Sequence, residues 1–192
     1  MRYLTDRFEY VAATGKGRPW LFPMLRGDLA ARSAWYYGKV GRGLSLRMLF
    51  ADGGLCTVLY RLMRALMRWR LGPLAAIVYK MNAFLTGAVI GRGAEFGPGL
   101  VILHSVGLVI NTAVRGGDNV IVEGCVAIGA EKGRSPALGD HVFIGSGARV
   151  IGGVRVGNRA RIGANAVALA DVPEGGTAVG IPAKVVKVAE GN

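Results

Sequence analysis

"LGDHVFIGSGARVIGGVRVGNRARIGANAVA", residues 138–168, decides the fold. Its large aliphatic residues Leu138, Ile144, Val150, Val156 and Ile162 recur at every sixth position. Glycine follows at Gly139, Gly145, Gly157 and Gly163, and Ala148, Ala160 and Ala166 stand four places after their aliphatic residues. Counting outward, the same spacing meets Ile90, Phe96, Ile102, Leu108, Val114, Val120 and Val126. Twelve of thirteen positions are therefore large and apolar, and the exception is Lys132 within "GAEKGRSPA", a polar stretch expected to loop out between repeats. One inward aliphatic per six residues, with small residues at fixed offsets, predicts a parallel β-helix. Short strands and tight corners then stack into coils about 4.8 Å apart. The phase is read as continuous across the interruption.

Composition agrees with one sizeable core. The 192 residues are 52% hydrophobic, and the 31 glycines lack the every-third spacing of collagen. Cys56 and Cys125 form no C-x-x-C motif, which favours a reducing cytoplasm over a disulfide framework. The first twenty residues lack the apolar core of a signal peptide, and no uncharged apolar run is long enough to span a membrane. Net charge is +12 and uneven: residues 1–89 hold 14 Lys/Arg against 4 Asp/Glu, residues 90–192 hold 10 against 8.

The expected organisation is an N-terminal helical region over 1–89, a β-helix over 90–173 with an extruded loop at 131–137, and a C-terminal tail over 174–192. "MLRGDLAARSAW" is the best early helix candidate. "LCTVLYRLMRALMRWR" carries Leu55, Leu59, Leu62, Met63 and Leu66 on one face and Arg61, Arg64 and Arg68 on another; Gly72 and Pro73 stop it, and "LAAIVYKMNAFL" follows as a second helix. A basic amphipathic helix over 55–70 can lie on an anionic membrane surface, or it can pack with its arginines solvated. Nucleic acid is not an expected partner, since neither interleaved aromatics nor a recognition motif accompanies the basic charge.

"LVILHSVGLVIN", residues 100–111, sets His104, one of only two histidines, in an otherwise apolar run. From Gly53 to Lys184 the chain resembles the serine acetyltransferase branch of the hexapeptide-repeat acyltransferases, including relatives that act on surface polysaccharides. The resemblance rests on "GLCTVLYRL", "GPGLVILHSVGLVIN", the repeats themselves and the closing "VPEGGTAVGIPAKVV". It implies a left-handed β-helix of four to five coils, a homotrimer with sites between subunits, and acetyl-CoA as co-substrate. His104 falls at the family's catalytic histidine, a base suited to taking a proton from an acceptor hydroxyl. Coenzyme A would lie along Gly129, Ala130, Ser146, Gly147, Gly163 and Ala164, with Arg161 and Lys184 facing its phosphates and a backbone N–H near Gly129 and Ala130 meeting the oxyanion. His141 reads as a surface corner residue.

The chain departs from the serine pattern. Leu103 and Val89 stand where the serine enzymes carry aspartates, and Arg134-Ser135-Pro136 replaces their Arg-His-Pro. The helical-domain aspartate that helps hold the amino acid has no counterpart near Arg32 to Ala34. These losses favour a neutral sugar hydroxyl as acceptor, with Asn111 and Arg134 beside it and Glu123 orienting His104 or holding the acceptor. The expected function is O-acetylation of a sugar in surface polysaccharide or lipopolysaccharide synthesis, in the cytoplasm or at the inner membrane face. Serine O-acetylation and an inactive scaffold are the alternatives. No metal is expected, because two histidines are too few for the zinc site of the γ-class carbonic anhydrases that share the fold.

Overall fold

The computed structural model describes residues 21–38 and 52–188. Three helices, α1 (Leu21–Tyr37), α2 (Gly54–Arg68) and α3 (Gly72–Thr86), precede a three-faced parallel β-helix. The first face stacks β1 (Val89–Ile90), β4 (Val109–Ile110), β7 (Ala127–Gly129), β10 (Arg149–Ile151) and β13 (Val167–Ala168). The second stacks β2 (Glu95–Phe96), β5 (Arg115–Gly116), β8 (Ala137–Leu138) and β11 (Arg155–Val156). The third stacks β3 (Val101–Ile102), β6 (Ile121–Val122), β9 (Phe143–Ile144) and β12 (Arg161–Ile162). The segment read as a tail carries β14 (Gly176–Gly180), which continues the third face in parallel, and β15 (Ala183–Val188), which pairs antiparallel to β14 and ends it.

All twelve apolar residues of the sixfold count are buried, as are the alanines four places on. Their phase is not continuous, however. Strands start six residues apart at 89, 95 and 101, but β4 starts eight later, at 109; the loop after β7 then delays β8 to 137, ten after 127. The two irregularities add two and four residues, together one whole repeat, so the count slips and then recovers. Ile110, Val122 and Ile128 take the inward strand positions in between, while Val114, Val120 and Val126 fill corners. The first irregularity is the corner 103–108 that carries His104.

Gly72 and Pro73 do not so much stop α2 as start α3. The chain reverses at Arg70, whose φ is 62°, and Pro73 sits in the first turn of α3, where no backbone donor is needed. Two of the three arginines on the basic face of α2 are held against the first coil, while Arg68 stays exposed. Arg61 is 4% exposed and donates through Nε and Nη2 to the Asp28 carboxylate of α1 at 2.8 and 3.0 Å, and to the carbonyls of Phe96 and Gly97 at 2.8 and 2.6 Å. Asp28 in turn accepts the Leu100 N–H at 2.9 Å. Burial pushes the Asp28 carboxyl up and Arg61 pulls it down, whereas the Arg61 guanidinium is held above its ordinary value by Asp28 despite burial. Arg64 reaches Glu95 at 2.6 Å and the Arg92 carbonyl at 2.9 Å. Arg61 and Arg64 are thus engaged by the first coil, which leaves a membrane-surface role for this helix without support. Among the described residues no helix is long and apolar enough to cross a membrane.

Removing one partner of such a pair leaves a buried charge unmatched. Arg61→Ala is expected to cost about 3–5 kcal/mol of stability, measurable as a shift of the denaturant midpoint followed by circular dichroism.

Candidate active site

The corner between β3 and β4 is six residues long where the later corners on that edge, 123–126, 145–148 and 163–166, have four. The additional length pushes His104 outward, leaving its side chain 64% exposed. The corner is nonetheless held: Ser105 Oγ donates to the Thr86 carbonyl at 2.8 Å, and the Gly107 N–H to that of Gly87 at 3.2 Å, so the end of α3 fixes it from outside. From within, Gly124 lies so close below that a Cβ built there would stand 3.1 Å from the His104 Cβ.

The later corners stack beneath His104 in one column. The Cys125 N–H reaches the Val106 carbonyl at 3.0 Å, Gly147 N–H that of Gly124 at 2.9 Å, and Asn165 N–H that of Ser146 at 2.8 Å. This edge therefore brings together His104, Glu123, Ser146, Gly147, Gly163 and Ala164. Glu123 Oε2 accepts the Ser146 N–H at 2.7 Å, so its described bond braces the corner of the next coil rather than His104. Arg161 borders the column on the third face, its guanidinium 4.4 Å over the Phe143 ring, which itself stacks on Trp35 of α1. Burial pushes Arg161 down from its usual range, and the Glu123 charge works in the opposite sense. Lys184 is exposed on β15.

The remaining candidates occupy a different edge, between the first and second faces. There the Asn111 N–H meets the Ile128 carbonyl at 2.8 Å, Ser135 Oγ lies 3.2 Å from Asn111 Oδ1, and Glu131 and Arg134 close the extruded loop by mutual backbone bonds at 2.9 Å. Gly129, Ala130, Asn111 and Arg134 are thus separated from His104 by the width of the first face. His141 stands on the third edge at φ 57°, half-buried, its imidazole pushed down by burial. A concavity of about 420 Å³ beside α2, lined by Met24, Arg64, Trp69 and Glu95 among others, includes none of the candidate residues.

Two residues tied to the His104 corner escaped the sequence reading. The Asp52 Oδ2 stands 3.4 Å from His104 Nδ1, and Arg32, 2% exposed on α1, donates through Nη2 to the Asp52 carbonyl and to the Ile102 carbonyl, the latter at 2.7 Å. The one signal that could have found Asp52 is its rarity, as it is one of four acids in residues 1–89. Leu103, where an aspartate was sought, is 5% exposed beneath α1 with Ala31, Val101 and Ile121, a setting hostile to an unpaired carboxylate.

The family model for the bacterial transferase hexapeptide, six repeats, matches residues 136–168. The serine acetyltransferase of Helicobacter pylori strain J99 is 39% identical over 167 residues, covering 85% of this chain and 92% of that protein. The chain belongs to the serine acetyltransferase-type hexapeptide-repeat acyltransferases. Among solved structures, soybean serine acetyltransferase complexed with serine superposes with a TM-score of 0.77 at 31% identity, covering 88% of this chain and 70% of that one. A serine acetyltransferase in complex with CoA gives 0.79 at 28% identity, covering 86% and 69%. As an acyltransferase of this family the chain presents His104 on a corner that the end of α3 holds at Ser105 and Gly107.

Adding a methyl at Gly124 would displace the His104 corner by a few tenths of an ångström. Gly124→Ala is expected to lower the turnover of the acyltransferase reaction by about tenfold, given that ~1 Å of misplacement can cost roughly 100-fold, while the thermal midpoint stays close to that of the parent.

Proposed function

We propose that the protein is an acetyl-CoA-dependent serine O-acetyltransferase with His104 as its general base. The observation that carries this reading is the 39% identity to a protein named serine acetyltransferase across nearly the full length of both chains. The sugar acceptor expected from the sequence is not supported. It rested on missing carboxylates, whereas the relatives that match this chain over most of its length are named serine acetyltransferases. In the reaction the serine hydroxyl oxygen forms the new bond to the thioester carbonyl carbon, the carbon–sulfur bond breaks, and His104 takes the hydroxyl proton and returns it to the leaving thiolate. Small corners at Ser146, Gly147, Gly163 and Ala164 leave the backbone open to a pantetheine arm, and Arg161 supplies a nearby cation for phosphate.

In this reading the chain acts as a homotrimer, as the family resemblance implies, with His104 on one edge of the β-helix and Gly129, Ala130, Asn111 and Arg134 on another. A neighbouring copy would bring the second set to the first. Light scattering is then expected to return three times the mass of the chain, and a persistent monomer would remove the shared site.

The deciding assay is coenzyme A release from acetyl-CoA with L-serine, run beside nucleotide sugars and lipid-linked saccharides. Release is expected with serine, falling by roughly 10²–10⁴-fold in His104→Ala. Release with a saccharide alone would overturn the acceptor, and acetyl-CoA binding without turnover on any acceptor would make the protein a scaffold.

A further inference from the structure

The geometry points to Asp52 as the positioning residue that orients the His104 imidazole, a role that rests on His104 being the base of acetyl transfer. On the β-helix itself the two positions where the serine enzymes carry aspartates hold no acid: Leu103 is buried under α1, and Val89 is aliphatic. Glu123, one coil away, is bonded to the Ser146 N–H. The carboxylate arrives instead from the turn that leads into α2, with Asp52 Oδ2 at 3.4 Å from Nδ1.

An exposed ion pair of this kind is ordinarily worth little, because two side chains must be held in one geometry against solvent. Here both backbones are already held. A single nitrogen of buried Arg32, Nη2, bonds the Asp52 carbonyl and the Ile102 carbonyl, so the turn and the strand that ends two residues before His104 share one clamp. The adjacent Gly53 adopts φ 75° and approaches Ile102 so closely that a Cβ would collide with its carbonyl oxygen. On the other side, α3 fixes Ser105 and Gly107. The acid and the imidazole therefore need only side-chain torsions to meet, and a separation of 3.4 Å is of the kind that tightens in a substrate complex.

The consequence is a choice of tautomer. A carboxylate facing Nδ1 selects the form protonated on that nitrogen and leaves Nε2 with the lone pair that accepts the hydroxyl proton. Asp52 touches neither substrate nor reacting atom in this role.

Two histidines make the test direct. In protein labelled with ¹⁵N-histidine, with His141→Gln to assign the signals, His104 is expected to show a protonated Nδ1 and a bare Nε2 at neutral pH, and Asp52→Ala to shift the ring to a mixed or Nε2-protonated form. With the acceptor that supports coenzyme A release, Asp52→Ala is expected to lower kcat roughly 10- to 100-fold, less than loss of the base itself, with the KM for acetyl-CoA unchanged and partial recovery in Asp52→Glu. Unaltered ¹⁵N shifts with kcat within about twofold of the parent would overturn the assignment. A rise in the KM for serine alone would overturn it too, and would give Asp52 to the substrate ammonium. The spectroscopic arm needs no acceptor, so failure of the serine reading and failure of the Asp52 role are read separately.

Discussion

The buried Asp28–Arg61 pair is the joint on which the rest of the molecule depends. A β-helix can build its own coils from strand pairing and inward aliphatics, but it cannot by itself attach a helical layer. Asp28 and Arg61 make that attachment by taking the free backbone groups of Phe96, Gly97 and Leu100 at the first coil, where no earlier strand satisfies them. One helical turn beyond Asp28, on the same side of α1, Arg32 performs a second attachment to Asp52 and Ile102. An error at the joint would therefore be carried along α1 to the site, which lies a few residues further on.

The fold was legible in the sequence because hexad periodicity is a local property, repeated often enough to survive two interruptions. What periodicity hid was that the interruptions compensate: a count by sixes still lands on apolar residues between 108 and 126, because corners as well as strands are filled from inside. His104 was legible through scarcity and context. Asp52 was not, since nothing periodic links a turn residue to a corner of the β-helix half a hundred positions later, and only the clamp through Arg32 brings them together. Arg61 misled for a related reason. A basic residue beside an apolar stripe reads as solvated unless its acid is known, and that acid lies in another helix.

The division of candidate residues between two edges also has a physical origin. Each coil offers three corners, and residues six apart fall on successive corners, whereas residues about a full coil apart stack on one. His104, Glu123, Ser146 and Ala164 are spaced in this second way and so form a column. The candidate site is accordingly laid out along the coil axis, with His104 at one end and small residues below.

The reversal at β15 bears on how large the solenoid can become. A parallel stack exposes, at its last coil, a row of donors and acceptors that would template another coil or another molecule. Folding β15 back antiparallel to β14 occupies that row on the third face with a strand of the opposite polarity, and Lys184 and Lys187 place charge along it. The helices occupy the other end. The molecule thus carries its own terminators at both ends, and these cap its length at about four coils without recourse to a change in the repeat itself.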